Sequence, residues 1–209
     1  MHFLHKIFIF SVLLFLFAQE SYAQSHLRLG AKAGANIDYT VGEALKGTKQ
    51  AQFFGGPYIG VSNKKARTQI ELLFVQSHIQ TDDNFKNLFQ KEVNQSVADI
   101  QNGEFKINEI SIPLNIGFRI IPNFLWLELG PQYTAAISIL DKDNFLKTPK
   151  DVFKSGYLSG FVGLSVELPF RFNLSARYNI GISDRNNTDN GYIWRTSTIQ
   201  AALGFSFIK

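Results

Sequence analysis

Long runs of strictly alternating apolar and polar residues restrict the possible folds of this chain more than any other feature. In residues 27–38, Leu, Ala and Ile occupy every odd position, whereas Arg, Gly, Lys, Asn and Asp occupy the even ones. Residues 170–183 repeat the pattern. Because successive side chains of a β-strand point to opposite faces, both runs are predicted strands with one apolar and one polar face.

The same reasoning predicts eight strands in all, two of which have a less regular phase (residues 53–61 and 67–79). The other six are residues 27–38, 109–119, 125–138, 158–168, 170–183 and 199–207. Strands of soluble proteins usually have about 5 or 6 residues, whereas a tilted strand that crosses a membrane needs about 9 to 11. The length of these runs therefore favours a membrane-spanning sheet.

The connections between the predicted strands alternate between short and long. Those at residues 62–66, 120–123 and 168–169 are tight, whereas those at 39–51, 80–104, 141–155 and 184–192 are long and polar. Outer-membrane barrels have short periplasmic turns and long outer loops. The sequence therefore predicts an all-β fold, an eight-stranded antiparallel up-and-down transmembrane β-barrel.

Residues 1–23 are typical of a secretory signal peptide. Lys6 precedes an apolar run at residues 7–17, and the small residues Ser21 and Ala23 precede a predicted cleavage site before Gln24. The apolar run is shorter than the roughly 20 residues of a membrane-spanning helix, which disfavours an N-terminal anchor. We therefore expect a cleaved leader, residues 1–23, and one outer-membrane β-barrel domain, residues 24–209.

The polar faces of the strands are predicted to line the lumen. In lipid, every backbone polar group must pair within the protein, so the strands must close into a ring with their apolar faces outward. Eight strands enclose a space just wide enough for side chains. The inward positions carry charges of both signs, which should pair because an isolated buried charge is costly. We interpret them as a structural network that fills the lumen, with a conducting lumen as the alternative: Arg28, Lys32, Glu71, Glu109, Arg119, Glu128, Glu167, Arg171 and Arg177.

Composition excludes several kinds of chemistry. The chain has no Cys, which removes thiol catalysis, disulfides and Cys-ligated metals. Only His26 and His78 lie outside the leader, so no metal site and no cofactor are predicted. Ser77, His78 and Glu71 are the one candidate catalytic set, but neighbouring strand residues point to opposite faces, so Ser77 and His78 are poorly placed to meet. The net charge of +4 forms no basic stripe, and nucleic-acid binding is not expected.

The second long connection carries a helix-like pattern. Its apolar residues recur near helical spacing behind Asp82, Asp83 and Asn84, which can cap a helix; they are Phe85, Leu88, Phe89, Val93, Val97 and Ile100. We expect a short amphipathic helix that packs over the barrel rim, with a partner-binding surface as the alternative. Aromatic residues near strand ends, Trp194 among them, are expected at the membrane interfaces, whereas alternation places Trp126 in the lumen.

Four stretches of the chain resemble a known family of small barrels. They are LGAKAGAN at residues 29–36, ELLF at 71–74, NEISIPL at 108–114 and LELGPQY at 127–133. The pattern resembles the PorT-like, porin-family outer membrane proteins that are common in Bacteroidota. The resemblance implies an eight-stranded outer-membrane barrel of the Gram-negative envelope, and it implies no shared catalytic residues.

These observations lead to one main functional hypothesis and one alternative. The main hypothesis is an integral outer-membrane protein, not an enzyme, that is surrounded by outer-membrane lipid and acts structurally or through its outer loops on a protein partner. The alternative is a soluble, secreted, lipocalin-like barrel that binds an apolar ligand. The alternative requires the opposite phase, in which Leu27, Leu29, Phe172 and Leu174 line the cavity.

Overall fold

The structure is a computed structural model that describes residues 25–46, 50–94, 102–141, 143–188 and 191–208. The predicted leader lies outside these residues. Short helices are α1 (Phe85–Leu88) and α2 (Pro149–Val152). The strands are β1 (His26–Val41), β2 (Leu45–Lys46), β3 (Ala51–Ser62), β4 (Ala66–Glu71), β5 (Leu73–Thr81), β6 (Glu104–Ile121), β7 (Leu125–Asp141), β8 (Gly156–Glu167), β9 (Phe172–Gly181) and β10 (Arg195–Ile208).

The long strands close into a ring. From β5 to β10 each strand pairs antiparallel with the next, β3 pairs with both β4 and β5, and β4 pairs with β6. The ring closes because β1 pairs with β3 on one side and with β10 on the other. The two-residue strand β2 pairs only with the outer end of β5. Because β4 and β5 follow one another in the same position of the ring, the barrel has eight strands, which confirms the sequence prediction.

The break between β4 and β5 has a local cause at Leu72. The Leu72 amide donates to the carbonyl of Pro57 at 3.0 Å, and Pro113 lies on β6 between the partners of Ile70 and Leu73. Proline has no backbone N–H, so Pro57 on β3 and Pro113 on β6 cannot donate the ladder hydrogen bonds that other residues would donate beside Leu72. The chain nevertheless keeps its register on both sides of Leu72.

The two ends of the barrel differ as the sequence predicts. The connections β3–β4, β6–β7 and β8–β9 are short and lie at the end where β1 begins and β10 finishes. The outer loops 1 to 4 connect the strands at the opposite end, and their described residues fall within 42–50, 82–103, 142–155 and 182–194.

The apolar face of each strand points away from the lumen. Leu27, Leu29 and Leu174 are exposed on the outside of the barrel, whereas their polar neighbours Arg28 and Asn173 are buried inside. Phe172 also faces outward, with 37% of its surface exposed. The lipocalin-like arrangement is therefore wrong, because the residues it places in the cavity lie on the outer surface.

The turn between β8 and β9 differs from the prediction. The alternating pattern places a strand over residues 170–183, but β9 begins at Phe172, and Pro169–Arg171 form a 3-10 turn. Phe170 and Arg171 both have positive φ angles, 58° and 66°. This left-handed conformation reverses the chain within two residues. The prediction that Arg171 faces the lumen is therefore wrong: it lies exposed on the turn, where its Nη1 donates to the carbonyl of Phe207 at 2.8 Å.

The helix in outer loop 2 is shorter than the pattern in residues 82–101 predicts. It is the single turn α1, preceded by Asn84, whose side chain makes no capping hydrogen bond. Val97 and Ile100 of the predicted apolar face lie outside the described residues. Among the described residues, no helix is long and apolar enough to cross a membrane.

Candidate functional site

The centre of the lumen holds an ion-pair cluster around Glu71 of β4. Lys32 donates to Glu71 Oε1 at 2.7 Å, and Gln69 donates to the same oxygen at 2.8 Å. Arg177 of β9 reaches across the barrel and donates through Nη2 to Oε1 at 2.6 Å and through Nη1 to Oε2 at 2.9 Å. Glu71 has no exposed surface. Its carboxylate is therefore bound by two cations and an amide, as a buried charge requires.

Arg177 extends this cluster to a second carboxylate. Its Nε donates to Glu128 Oε2 on β7 at 2.8 Å, and its guanidinium lies 4.8 Å from the ring centre of Phe161. Arg67 of β4 binds the other oxygen of Glu128 and the hydroxyl of Ser165. One guanidinium thus joins β4, β7 and β9 through the middle of the lumen.

The periplasmic end of the lumen contains one more ion pair and an aromatic stack. Arg28 of β1 donates to Glu167 of β8 at 3.0 Å. Trp126 has no exposed surface and lies between two guanidinium groups, with Arg67 4.6 Å and Arg119 4.5 Å from its ring centre. The alternating sequence pattern predicts that Trp126 faces the lumen, and the structure confirms this position.

The outer end of the lumen is linked to outer loop 4. Arg185 of this loop donates to Glu109 Oε1 at 2.5 Å and lies over the ring of Tyr157 at 4.2 Å. Glu109 Oε2 accepts hydrogen bonds from Ser77 at 2.9 Å and Tyr157 at 3.2 Å. A loop residue therefore neutralises a carboxylate that belongs to the barrel wall.

Seven of the nine lumen residues that the sequence predicts lie in ion pairs. They are Arg28, Lys32, Glu71, Glu109, Glu128, Glu167 and Arg177. Arg119 instead stacks on Trp126 and donates to the side chain of Asn123 at 3.4 Å, at the rim. Arg171 is the exposed turn residue described above.

Sequence reasoning misses two partners in this network, Arg67 and Arg185. Arg67 follows a tight turn and reads as a turn residue, although its spacing to Gln69 and Glu71 places all three on one face of a strand. Arg185 lies in an outer loop, where no periodic pattern assigns a direction to a side chain. The sequence therefore contains a signal that could have placed Arg67 in the lumen, but it contains none that could have placed Arg185 there.

The outer loops pack around a shared aromatic core rather than extending separately. Phe85 and Phe89 of outer loop 2 stack with ring centres 4.4 Å apart, and Phe89 lies 5.2 Å from Trp194 of outer loop 4. Trp194 also contacts Phe153 of outer loop 3 at 5.6 Å, and its Nε1 donates to the carbonyl of Glu43 in outer loop 1. All four loops therefore contribute to one cluster: Ala44, Leu45, Ile79, Phe85, Phe89, Val93, Phe105, Ile107, Phe145, Leu146, Val152, Phe153 and Trp194.

This core corrects the interface assignment of Trp194 and supports the packing interpretation of outer loop 2. Trp194 has no exposed surface, so it is a core residue of the loops and not a lipid-interface residue. Phe85, Phe89 and Val93, the described buried members of the predicted helical face, all point into the core.

Polar contacts hold outer loops 3 and 4 together above the core. The carboxylate of Asp184 accepts hydrogen bonds from the backbone N–H of Asn186 at 2.9 Å and of Trp194 at 2.8 Å, and from Lys154 Nζ at 3.2 Å. Partial burial raises the pKa of the Asp184 carboxyl, but these donors outweigh burial and hold the pKa below its usual value. The ionised form of Asp184 is therefore the form that the loops stabilise.

A closed β-barrel with an apolar outer surface and paired charges in its lumen is the structure of an integral outer-membrane protein. The chain belongs to the family described as outer membrane protein beta-barrel domain, whose sequence model matches residues 8–207. The protein is accordingly an integral protein of the outer membrane. No curated protein matches the chain.

Two solved structures of bacterial proteins are similar to this chain. One is Ail, the attachment invasion locus protein of Yersinia pestis, in complex with the heparin analogue sucrose octasulfate; it has 12% identity and a TM-score of 0.49, and the match covers 87% of this chain and 99% of that one. The other is Neisserial surface protein A, with 13% identity and a TM-score of 0.41, covering 87% and 97% of the two chains.

Proposed function

We propose that this barrel is a closed, non-conducting scaffold that presents its four outer loops as one rigid surface for a partner outside the cell. The observation that carries the proposal is the aromatic core, which all four loops share and which fixes them relative to one another. A binding surface that is ordered before it meets its partner loses less conformational entropy on binding.

The contents of the lumen support the non-conducting part of the proposal. The ion pairs of Glu71 and Glu128 cross the middle of the barrel, and Arg28 with Glu167 lies closer to the periplasm. Side chains that bind one another at hydrogen-bond distance occupy the space that ions would need. The aromatic core lies over the same lumen at its outer end.

The proposal assigns no catalytic role to the barrel. Ser77 points into the lumen and donates to Glu109, whereas its neighbour His78 projects from the other face of β5. A serine nucleophile needs a base within hydrogen-bond reach, and the two side chains face apart. The resemblance of four stretches to PorT-like barrels agrees with this assignment, and we propose that the chain belongs to that type.

Planar-bilayer recording tests the closed lumen. The wild-type barrel is expected to produce no single-channel steps above background. A double variant, Glu71→Ala with Arg177→Ala, removes the central pair together and is the positive control, because it empties the middle of the lumen and leaves the net charge unchanged. Regular steps from the folded wild-type barrel would contradict the proposal.

Site-specific photocrosslinking in living cells tests the outer surface. A photoreactive residue at Leu88, which is 38% exposed on α1, is expected to capture a specific protein or glycan adduct. The matched control is Phe170, which is 87% exposed on a periplasmic turn. Adducts from position 170 alone would contradict an outer-loop function and move the interaction to the periplasm.

A further inference from the structure

Four buried oxygen atoms near the outer end of the lumen have no hydrogen-bond donor among the described residues. They are Asn36 Oδ1, Asp38 Oδ2, Asn179 Oδ1 and Gln200 Oε1. The exposed fractions of these residues are 0%, 1%, 3% and 3%. Buried polar atoms in native proteins are almost always paired, so four unpartnered acceptors in one region require a physical explanation.

Strand register places the four residues on one patch of the inner wall. Asn36 on β1 is paired directly with Gln200 on β10, and Asp38 is paired with Thr198, which in turn is paired with Asn179 on β9. Side chains at directly opposed positions have Cβ atoms about 5 Å apart. The four residues thus lie on three adjacent strands, β1, β10 and β9, and share the inner face.

The hydrogen bonds within the patch involve only one of the two Asp38 oxygens. Asp38 Oδ1 accepts from Thr198 Oγ1 at 2.9 Å and from Asn36 Nδ2 at 3.3 Å. Asn36 Nδ2 also donates to the carbonyl of Gln76 at 3.1 Å. These bonds orient the Asp38 and Asn36 side chains and leave Asp38 Oδ2 and Asn36 Oδ1 as acceptors.

Within the part of the chain that the structure describes, the buried carboxylate of Asp38 forms no ion pair. Among the described residues, Asp38 and Glu109 are buried carboxylates there, and Arg185 is the buried cation. Arg185 donates to Glu109 and to Thr196 Oγ1, and no described cation forms an ion pair with Asp38. Lys32, Arg67 and Arg177, deeper in the lumen, are bound to Glu71 and Glu128. A buried carboxylate without a cation in direct contact is unfavourable, although Arg185 and the hydroxyl of Ser77 interact with Asp38 more weakly.

We propose that Asn36, Asp38, Asn179 and Gln200 form a binding site for a hard metal cation of the Na⁺ or Ca²⁺ type. Carboxylate and amide oxygens are the ligands that such cations prefer. A cation would satisfy the four acceptors and compensate Asp38 at the same time. The sequence predicts no metal site, because such predictions rest on His, Cys and carboxylate clusters, and this site has a single carboxylate among amides.

Metal content and thermal stability of the folded, full-length mature barrel test the proposal. The protein is purified from outer membranes in detergent, stripped with a chelator, and desalted into buffers that contain Ca²⁺, Na⁺ or only choline as the cation. A bound cation raises Tm because it binds the folded state alone. Retained calcium with a higher Tm in Ca²⁺ identifies a divalent site, and a Tm increase in Na⁺ over choline identifies a monovalent one.

Two variants separate ligation from general stability. Asp38→Asn keeps the shape of the side chain and is expected to abolish the cation-dependent Tm increase. Asn179→Leu removes an amide whose oxygen and nitrogen are both unpartnered, and it is expected to weaken cation binding by about tenfold or more. If Asp38→Asn fails to fold, Asn179→Leu still provides the test.

Asn115→Leu is the matched control. Asn115 is a fully buried lumen residue on β6, away from the patch, and both of its amide atoms are also unpartnered. Its replacement is expected to leave the cation response unchanged. The proposal is overturned if wild-type Tm is the same in all three buffers and no metal is retained. A higher Tm for Asp38→Asn would then mean that a proton or water satisfies Asp38.

Discussion

The guanidinium group of Arg185 in outer loop 4 binds the carboxylate of Glu109 in the barrel wall, with Nη2 and Oε1 2.5 Å apart. Both side chains are buried, and the pair connects the outer loops to the transmembrane barrel. It therefore makes the stability of the loops depend on that of the barrel.

Replacing Arg185 with Met should destabilise the protein strongly, because Glu109 would remain buried without its cation. Removing one partner of a buried ion pair typically costs about 3–5 kcal/mol. Urea unfolding in detergent micelles measures the loss. The double variant Arg185→Met with Glu109→Gln should recover part of it, and a double variant no more stable than the single one would argue against a specific pair.

Arg177→Met should be among the most damaging single substitutions in the lumen, because it removes a cation from Glu71 and Glu128 together. We expect a loss of at least about 3–5 kcal/mol in the free energy of unfolding, or failure to form the heat-modifiable folded band. Arg171→Met is the control. It removes the same side chain from an exposed turn, where the expected change is within about 0.5 kcal/mol.

Phe89→Ala should loosen the outer loops while the barrel stays folded. Phe89 is fully buried between Phe85 and Trp194, and removing a buried Phe typically costs about 3–5 kcal/mol. The neighbouring Leu88→Ala, on the exposed side of α1, should have little effect.

The two tryptophans of the chain allow the unfolding of the outer loops and that of the barrel to be measured separately. Trp194 lies in the loop core and Trp126 in the lumen. In a Trp126→Phe background, fluorescence should report an earlier loop transition for Phe89→Ala. In a Trp194→Phe background, the barrel transition should move little. Equal shifts at both tryptophans would mean that loops and barrel unfold as one unit.

Acid should loosen the contact between outer loops 3 and 4 through Asp184. Because folding lowers the pKa of this carboxyl below its ordinary value of 3.8, its contribution to stability is fully present above that value. The contribution is lost as pH falls through the lower pKa of the folded state. The protection factors of the Asn186 and Trp194 amides against hydrogen exchange, which correct for the pH dependence of the intrinsic exchange rate, should therefore fall at low pH, and Asp184→Asn should remove that dependence.

The alternating pattern predicted the number of strands, their phase and the two kinds of connection. It succeeded because lipid outside and charged side chains inside impose the same two-residue period on every strand. It failed at Arg171, where two residues with positive φ interrupt the strand although the apolar and polar alternation continues through the turn.

The outer loops were predictable only in part. The apolar spacing of Phe85, Phe89 and Val93 predicted one buried face, and that face is buried. The positions of Arg185 and Trp194 depend on contacts among all four loops, which lie far apart in sequence and share no period. The partners of Glu109 and the composition of the aromatic core therefore needed the folded structure.

The aromatic core limits how the outer loops of this protein can change in sequence during evolution. Surface loops that do not contact one another can each vary in sequence without affecting the others. Here Trp194 of outer loop 4 contacts both Phe85 of outer loop 2 and Phe153 of outer loop 3, so a change of length or of a core residue in one loop disturbs its neighbours. Sequence variation among related chains should therefore concentrate at exposed positions such as Leu88, whereas the buried aromatic residues should change together or stay the same.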